Sequence, residues 1–167
     1  MMRRRLLLIT TVLFAVSPLL QAADEPLMFN IKRLSMESAL RIAQASIKEC
    51  RKQGVQVAVT VIDRGGNVQV VLRDVLAPDI TVKISYQKAY TAMAFNSATS
   101  GLKSRFSHPF SVPKVQGLLI ADGGIPITVG GTMLGGVGVS GAPSGKTDES
   151  CAKAGFDAVS GDLELAE

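Results

Sequence analysis

The chain is poor in the residue types that most metal centres and hydrolase sites require. Its 167 residues include one histidine, His108, and two cysteines, Cys50 and Cys151. A lone histidine cannot build a multi-histidine metal site. With no nucleophile elbow beside it, it also makes a serine hydrolase a poor fit. Two cysteines so far apart are not a metal-binding pattern. Positive charge is scarcer than it looks. Three of the eighteen basic residues are Arg3, Arg4 and Arg5; the other fifteen face fourteen acidic residues, about +1. That balance leaves no basic stripe for nucleic acid. Beyond the run from Leu6 to Val16 no stretch is a membrane candidate, and that run is shorter than the roughly 20 residues of a spanning helix.

What the N-terminus does have is the layout of a secretory signal. Three arginines precede the apolar run, Ser17 and Pro18 break it, and Leu20-Gln21-Ala22 offers a cleavage site. Cleavage after Ala22 predicts a periplasmic or secreted protein with no membrane attachment; an uncleaved anchor is the alternative. A polar lead-in over 23–33, containing Pro26, then precedes a single domain over 34–167. Such a compartment permits a disulfide between Cys50 and Cys151, each near an end of a predicted helix. Two free buried thiols are the alternative.

Periodicity gives the elements. Ser35 is a good N-cap, and Met36, Ala39, Leu40, Ala43, Ile47 and Cys50 follow at helical spacing, with Gly54 as a stop. Val55 to Ile62 alternates, with Val55, Val57, Val59 and Val61 on one face. Asp63 to Asn67 is dense in turn residues, and Val68 to Leu72 returns as a hairpin. Ala77-Pro78-Asp79 opens a second helix, with Ile80, Ile84, Ala89, Ala92 and Met93 as its stripe. Residues 97–117 are interrupted by Ser, Gly, His108-Pro109 and Pro113 and have no assignable element. The pattern is that of an α+β domain with an antiparallel sheet.

The stretch from Ile125 to Ser160 dominates the rest. Two apolar runs flank Gly130-Gly131, the signal of a second hairpin. Gly135, Gly136 and Gly138 remove side chains from the later strand, so a backbone, a flat ligand or a sister subunit can approach there. A tightly packed sheet is the other reading. Ser140 to Thr147 reads SGAPSGKT, one residue short of a phosphate-binding loop. Too little chain follows for such a fold, and a loop ending in Thr147 as N-cap of a last helix, with Asp148 and Glu149 at its positive end, fits better.

Two side chains stand out chemically. Lys88 sits in a mostly apolar helix, where it either snorkels to the surface or pairs with a carboxylate such as Asp63 or Asp148 and serves as a base or anion clamp. His108 is a candidate axial ligand to haem iron, beside Phe106 and Phe110, or an ordinary packed residue. Met133, Met93 and Tyr90 are further conceivable ligands.

Several blocks together resemble the GlcG/HbpS family of small haem-binding proteins, which includes the C-terminal domain of PduO cobalamin adenosyltransferases. They are VAVTVIDRGGNV (57–68), Arg73 after the second strand, YQKAYTA (86–92), ADGGIPI (121–127), GGVGVSGA (135–142), Asp148-Glu149, and the run from Cys151 to Gly155. The resemblance covers residues 34–160. It implies a profilin-like fold, a central antiparallel sheet with packed helices, and homo-oligomers from dimers to octamers. It implies haem or a corrinoid as ligand, for sequestration or sensing. It points to Asp63, Arg73, Lys88 and Asp148 as pocket residues, with Arg73 and Lys88 meeting haem propionates. Asp122 departs from the family, in which a proline commonly precedes the glycine pair. Two other functions remain open. One is an enzyme on a small acidic metabolite, Lys88 and Arg73 holding its carboxylate and Asp148 or Asp63 moving a proton. The other is a ligand-free assembly module.

Overall fold

Two hairpins supply the sheet. In the structure, a computed structural model that describes residues 26–107 and 115–166, β1 (Ala58–Asp63) and β2 (Val68–Arg73) flank the first turn. Strands β3 (Gly124–Val129) and β4 (Thr132–Ser140) flank the second. The expected signal segment and His108 lie outside the described residues. Asp63 closes the first turn by accepting from the backbone N–H groups of Gly65 (2.8 Å) and Asn67 (2.9 Å), the local bonding that favours Asp there. The second turn needs positive φ at both positions, and Gly130 (52°) and Gly131 (82°) supply it. All pairings are antiparallel, in the order β2-β1-β4-β3, so the chain is an α+β domain as expected. Pro126 sits in the edge strand β3, where its missing N–H is tolerated.

Helices α1 (Met36–Lys52) and α4 (Gly145–Leu165) cover one face of the sheet and α2 (Ile80–Ala94) the other. Strand β1 is therefore buried at all six residues, although its sequence alternates. Val57, Val59 and Val61 join the main core, with Ile42, Ile47, Val137 and Val139. On the opposite face the Thr60 hydroxyl meets that of Ser85 in α2 at 2.8 Å, which satisfies both buried groups.

Ser35 caps α1, accepting from the Ser38 N–H at 3.1 Å. The buried stripe is Ala39, Ile42, Ala43, Ser46, Ile47 and Cys50. Met36 and Leu40, expected within it, are 61% and 37% exposed. The stripe turns toward Ile42 because α1 packs against α4 as well as the sheet. A disulfide joins Cys50 to Cys151 of α4, with Cα atoms 5.5 Å apart. It spans 101 residues of sequence, and closing a loop of that size lowers the unfolded state's entropy by about 4–5 kcal/mol.

Helix α4 begins earlier than expected. Its N-cap is Ser144, which accepts from the Thr147 N–H at 3.1 Å, so Thr147 lies inside the first turn. The strand that leads into it is antiparallel to both neighbours, unlike the setting of a phosphate-binding loop. Residues 99–101 form a single 3₁₀ turn and α3 (Leu102–Arg105) follows, within the stretch that sequence left unassigned.

The glycines of β4 decide between the two readings of that strand. A Cβ on Gly138 would lie 2.0 Å from the Ser85 carbonyl oxygen and 2.6 Å from the Ala89 nitrogen. One on Gly136 would lie 2.5 Å from the Ala89 carbonyl oxygen, and one on Gly135 would lie 2.0 Å from that of Ile62. The chain's own α2 and β1 fill the space left for a flat ligand or sister subunit, so the packed sheet is the correct reading. The face of α2 that meets the sheet is correspondingly small and polar: Thr81, Ser85, Lys88, Ala89, Thr91 and Ala92. Ile80, expected in that stripe, is 52% exposed.

Candidate functional site

Lys88 is carried by this tight face to the edge of the sheet, and the first turn of α4 carries Asp148 toward it. The ammonium lies 2.7 Å from Asp148 Oδ2, with both side chains 5% exposed. Lys88 Nζ also donates to the Val139 carbonyl at 2.9 Å, and Asp148 Oδ1 accepts from the Ala142 N–H at 3.0 Å. Burial pushes the Asp148 carboxyl up. The hydrogen bond and charge of Lys88 and the Ala142 N–H oppose this without cancelling it, so the group stays above the usual carboxylate range. A Cβ on Gly123 would stand 2.8 Å from Lys88 Nζ, so the chain there passes directly over the pair. Of the two carboxylates that sequence offered to Lys88, the structure selects Asp148.

The pair borders a cleft of about 500 Å³, which Ile84, Lys103, Ala121, Asp122 and Gly145 also line. Asp122 accepts from Lys103 Nζ at 2.9 Å, which ties α3 to the turn before β3. Glu149 gathers the same region. It accepts from the Ser100 hydroxyl (2.6 Å), the Ser100 N–H (3.2 Å) and the Gly123 N–H (3.3 Å). Sequence reading missed Lys103, which falls in the unassigned stretch, and saw Glu149 only as a helix-start charge. An ammonium has three donors, and hydrogen bonds to Val139 and Asp148 take two of those of Lys88.

Asp63 and Arg73 lie elsewhere. Burial raises the Asp63 carboxyl, but hydrogen bonds from Asn67 and Gly65 and the Arg33 charge at 3.3 Å outweigh it and hold the group below the usual range. Arg73 donates to the carbonyls of Asp74 (3.4 Å) and Ala77, bracing the loop into α2. It lines a second cleft, of about 670 Å³, between α1 and β2. Both cysteines are in the disulfide. Among the described residues no group of three or more His, Cys, Asp or Glu side chains could hold a metal ion. Phe106 packs on Phe95 with ring centres 4.8 Å apart, and the Arg105 guanidinium lies 5.4 Å from the Phe106 ring centre.

A four-stranded antiparallel sheet between helical layers, with charged clefts at its margins, defines a small α+β domain. The chain belongs to the HbpS-like family, whose model, described as haem degrading protein HbpS-like, matches residues 34–157. It is 35% identical to Protein GlcG of Escherichia coli over 109 residues, 64% of this chain and 81% of that protein. Its fold is similar to the crystal structure of HbpS, at 36% identity and a TM-score of 0.76, covering 81% of this chain and 96% of that one. It is also similar to the crystal structure of a PduOC:heme complex, at 26% identity and a TM-score of 0.68, covering 76% and 95%.

Proposed function

We propose that this is an exported protein that binds haem or a related tetrapyrrole, for sequestration or sensing. The observation that carries the reading is a family match across nearly the whole folded domain, joined to a fold shared with a protein solved in complex with heme. The disulfide and the N-terminal signal pattern support an oxidising, periplasmic or extracellular setting. Edge strand β2, with Val68 52% and Val71 40% exposed, supports assembly of identical subunits, from dimer to octamer. Arg73 offers a cation to a haem carboxylate at the rim of its cleft; Lys88 lines a separate cleft with its charge matched by Asp148. When bound, the group would supply a redox-active iron, with His108 as its candidate axial ligand.

Titration of the purified mature protein with haemin tests this. A saturable Soret shift near one equivalent is expected. Its loss in His108→Ala identifies the ligand, and its retention moves ligation elsewhere. The absence of any shift in the wild type ends the reading.

A second reading rests on the Lys88–Asp148 pair: an enzyme that holds a small carboxylate at Lys88 while Asp148, with its raised proton affinity, moves a proton. Turnover of any identified substrate by Lys88→Met at the wild-type rate dismisses it. An oligomer with neither ligand nor turnover would leave an assembly module.

A further inference from the structure

Two ion pairs line the cleft beside α2, and they differ in what they can give up. The Lys88–Asp148 pair is closed: both side chains are buried, and the Val139 carbonyl and Ala142 N–H complete its bonding. The Lys103–Asp122 pair is half open, with the lysine side chain 58% exposed and the aspartate 9%. The Lys103 ammonium stands 2.7 Å from Asp122 Oδ1 and 2.9 Å from Oδ2, yet only Oδ2 receives a hydrogen bond. Oδ1 is buried and accepts from no donor among the described residues, and such acceptors are rare in folded proteins. Much of the remaining wall is apolar: Ile84 from α2, with Leu119, Ile120 and Ala121 from the chain before β3. The volume of about 500 Å³ falls in the range of small-molecule sites. A lysine charge rides on a flexible stem, so Lys103 can swing to a ligand's carboxylate. That move alone is costly, because Asp122 would stay buried without its cation. A ligand that carries a cation beside its anion removes the cost. Two lysines and two aspartates also leave the lining neutral, which suits a ligand of no net charge.

We propose that this cleft binds a small zwitterion of the α-amino acid class with an apolar side chain: its carboxylate on Lys103, its ammonium on Asp122, its side chain against Ile84, Leu119 and Ile120. The inference rests on the second reading above, of this cleft as a site for a small carboxylate. It deepens that reading by naming the ligand class and by giving the carboxylate to Lys103 rather than to Lys88. Both contacts are charge-assisted hydrogen bonds, and binding needs no turnover.

The test is calorimetric titration of the mature protein with L-leucine, with 4-methylpentanoate, which lacks the ammonium, and with 3-methylbutylamine, which lacks the carboxylate. Leucine is expected to bind at least about tenfold more tightly than either analogue, the equivalent of one lost hydrogen bond to a charged group. Asp122→Asn, which keeps the side-chain shape, should raise the Kd for leucine at least about tenfold. It should leave that for 4-methylpentanoate unchanged or lower, because Lys103 is then released. Lys103→Met should weaken both acids. Lys48→Gln, in the cleft between α1 and β2, should change neither. Equal binding of leucine and 4-methylpentanoate overturns the zwitterion and leaves the small-carboxylate reading standing. Undiminished leucine binding by the folded Asp122→Asn and Lys103→Met variants overturns the site. No binding of any of the three by the wild type overturns both the zwitterion and the small-carboxylate reading.

Discussion

The two faces of the sheet are sealed by different physics. Toward α1 and α4 the seal is branched aliphatic side chains, Val57, Val59, Val61, Val137 and Val139 against Ile42 and Ile47, fastened by the Cys50–Cys151 bond. Toward α2 it is backbone on backbone: Gly124, Gly136 and Gly138 meet the carbonyls of Lys88, Ala89 and Ser85, with a hydroxyl pair and a buried ion pair at the margin. Aliphatic packing takes up an added methyl at a cost of about 1–3 kcal/mol, because side chains can shift rotamers. Backbone packing has no rotamer to give. The difference appears in substitutions that add atoms, and the largest effect belongs to Gly138. Gly138→Ala places a methyl 2.0 Å from a helix carbonyl, so α2 must lift from the sheet. A loss above about 4 kcal/mol, or failure to accumulate folded protein, is expected. Urea unfolding that shows less than 1 kcal/mol lost would mean that α2 yields easily and that the two faces do not differ in kind.

That contrast also explains what could be read in advance. Ser35, the Asp63–Asn67 turn and Gly130-Gly131 are local signals, and each lies where its chemistry puts it. The glycines of β4 were visible, but a missing side chain does not say which neighbour fills the gap. The stripe of α2 was misjudged for the same reason: Thr81, Ser85 and Lys88 carry no hydropathy signal, and they are buried only because the sheet opposite them is bare. Lys88 stood out as a charge in an apolar helix, and Asp148 was one of two partners offered. Arg51 with Asp74, and Lys103 with Asp122, depend on how α1 and α3 meet the sheet, which no local pattern records.

The ion pair at the margin of the α2 face should respond next most strongly. Lys88→Met removes the main partner of Asp148 and leaves a buried carboxylate with only the Ala142 N–H, at a cost of about 3 kcal/mol at neutral pH. The sign of the pH dependence follows from the raised Asp148 carboxyl. A carboxyl whose folded value exceeds its unfolded one contributes stability that is complete below the unfolded value, near 3.8 here, and is lost as pH rises through the folded value. Removing Lys88 takes away both of its lowering influences, so the variant should lose more stability than the wild type between acid and neutral pH. Lys88→Met with Asp148→Asn should flatten that extra dependence. Parallel wild-type and Lys88→Met profiles would show that Asp148 reaches water in the variant and that the pair is not sealed.

The smallest effect separates two glycines on one helix. Gly155 of α4 faces α1, where a Cβ would lie 2.0 Å from Ser46 Oγ and 2.7 Å from the Ile42 carbonyl oxygen. Ser46 Oγ is itself bonded to that carbonyl at 3.0 Å, so it cannot swing aside without leaving a buried hydroxyl unpaired. Gly155→Ala should therefore cost about 1–3 kcal/mol. Gly161 is exposed, with nothing within 4 Å of an added methyl. Gly161→Ala should gain about 0.5–1 kcal/mol by restricting the unfolded chain and favouring the helix, a rise of roughly 1–4 °C in Tm. Opposite signs for one substitution, two turns apart, would show that the α1–α4 face also has a backbone contact within its aliphatic seal. Equal signs would make that face purely a side-chain one and sharpen its contrast with α2.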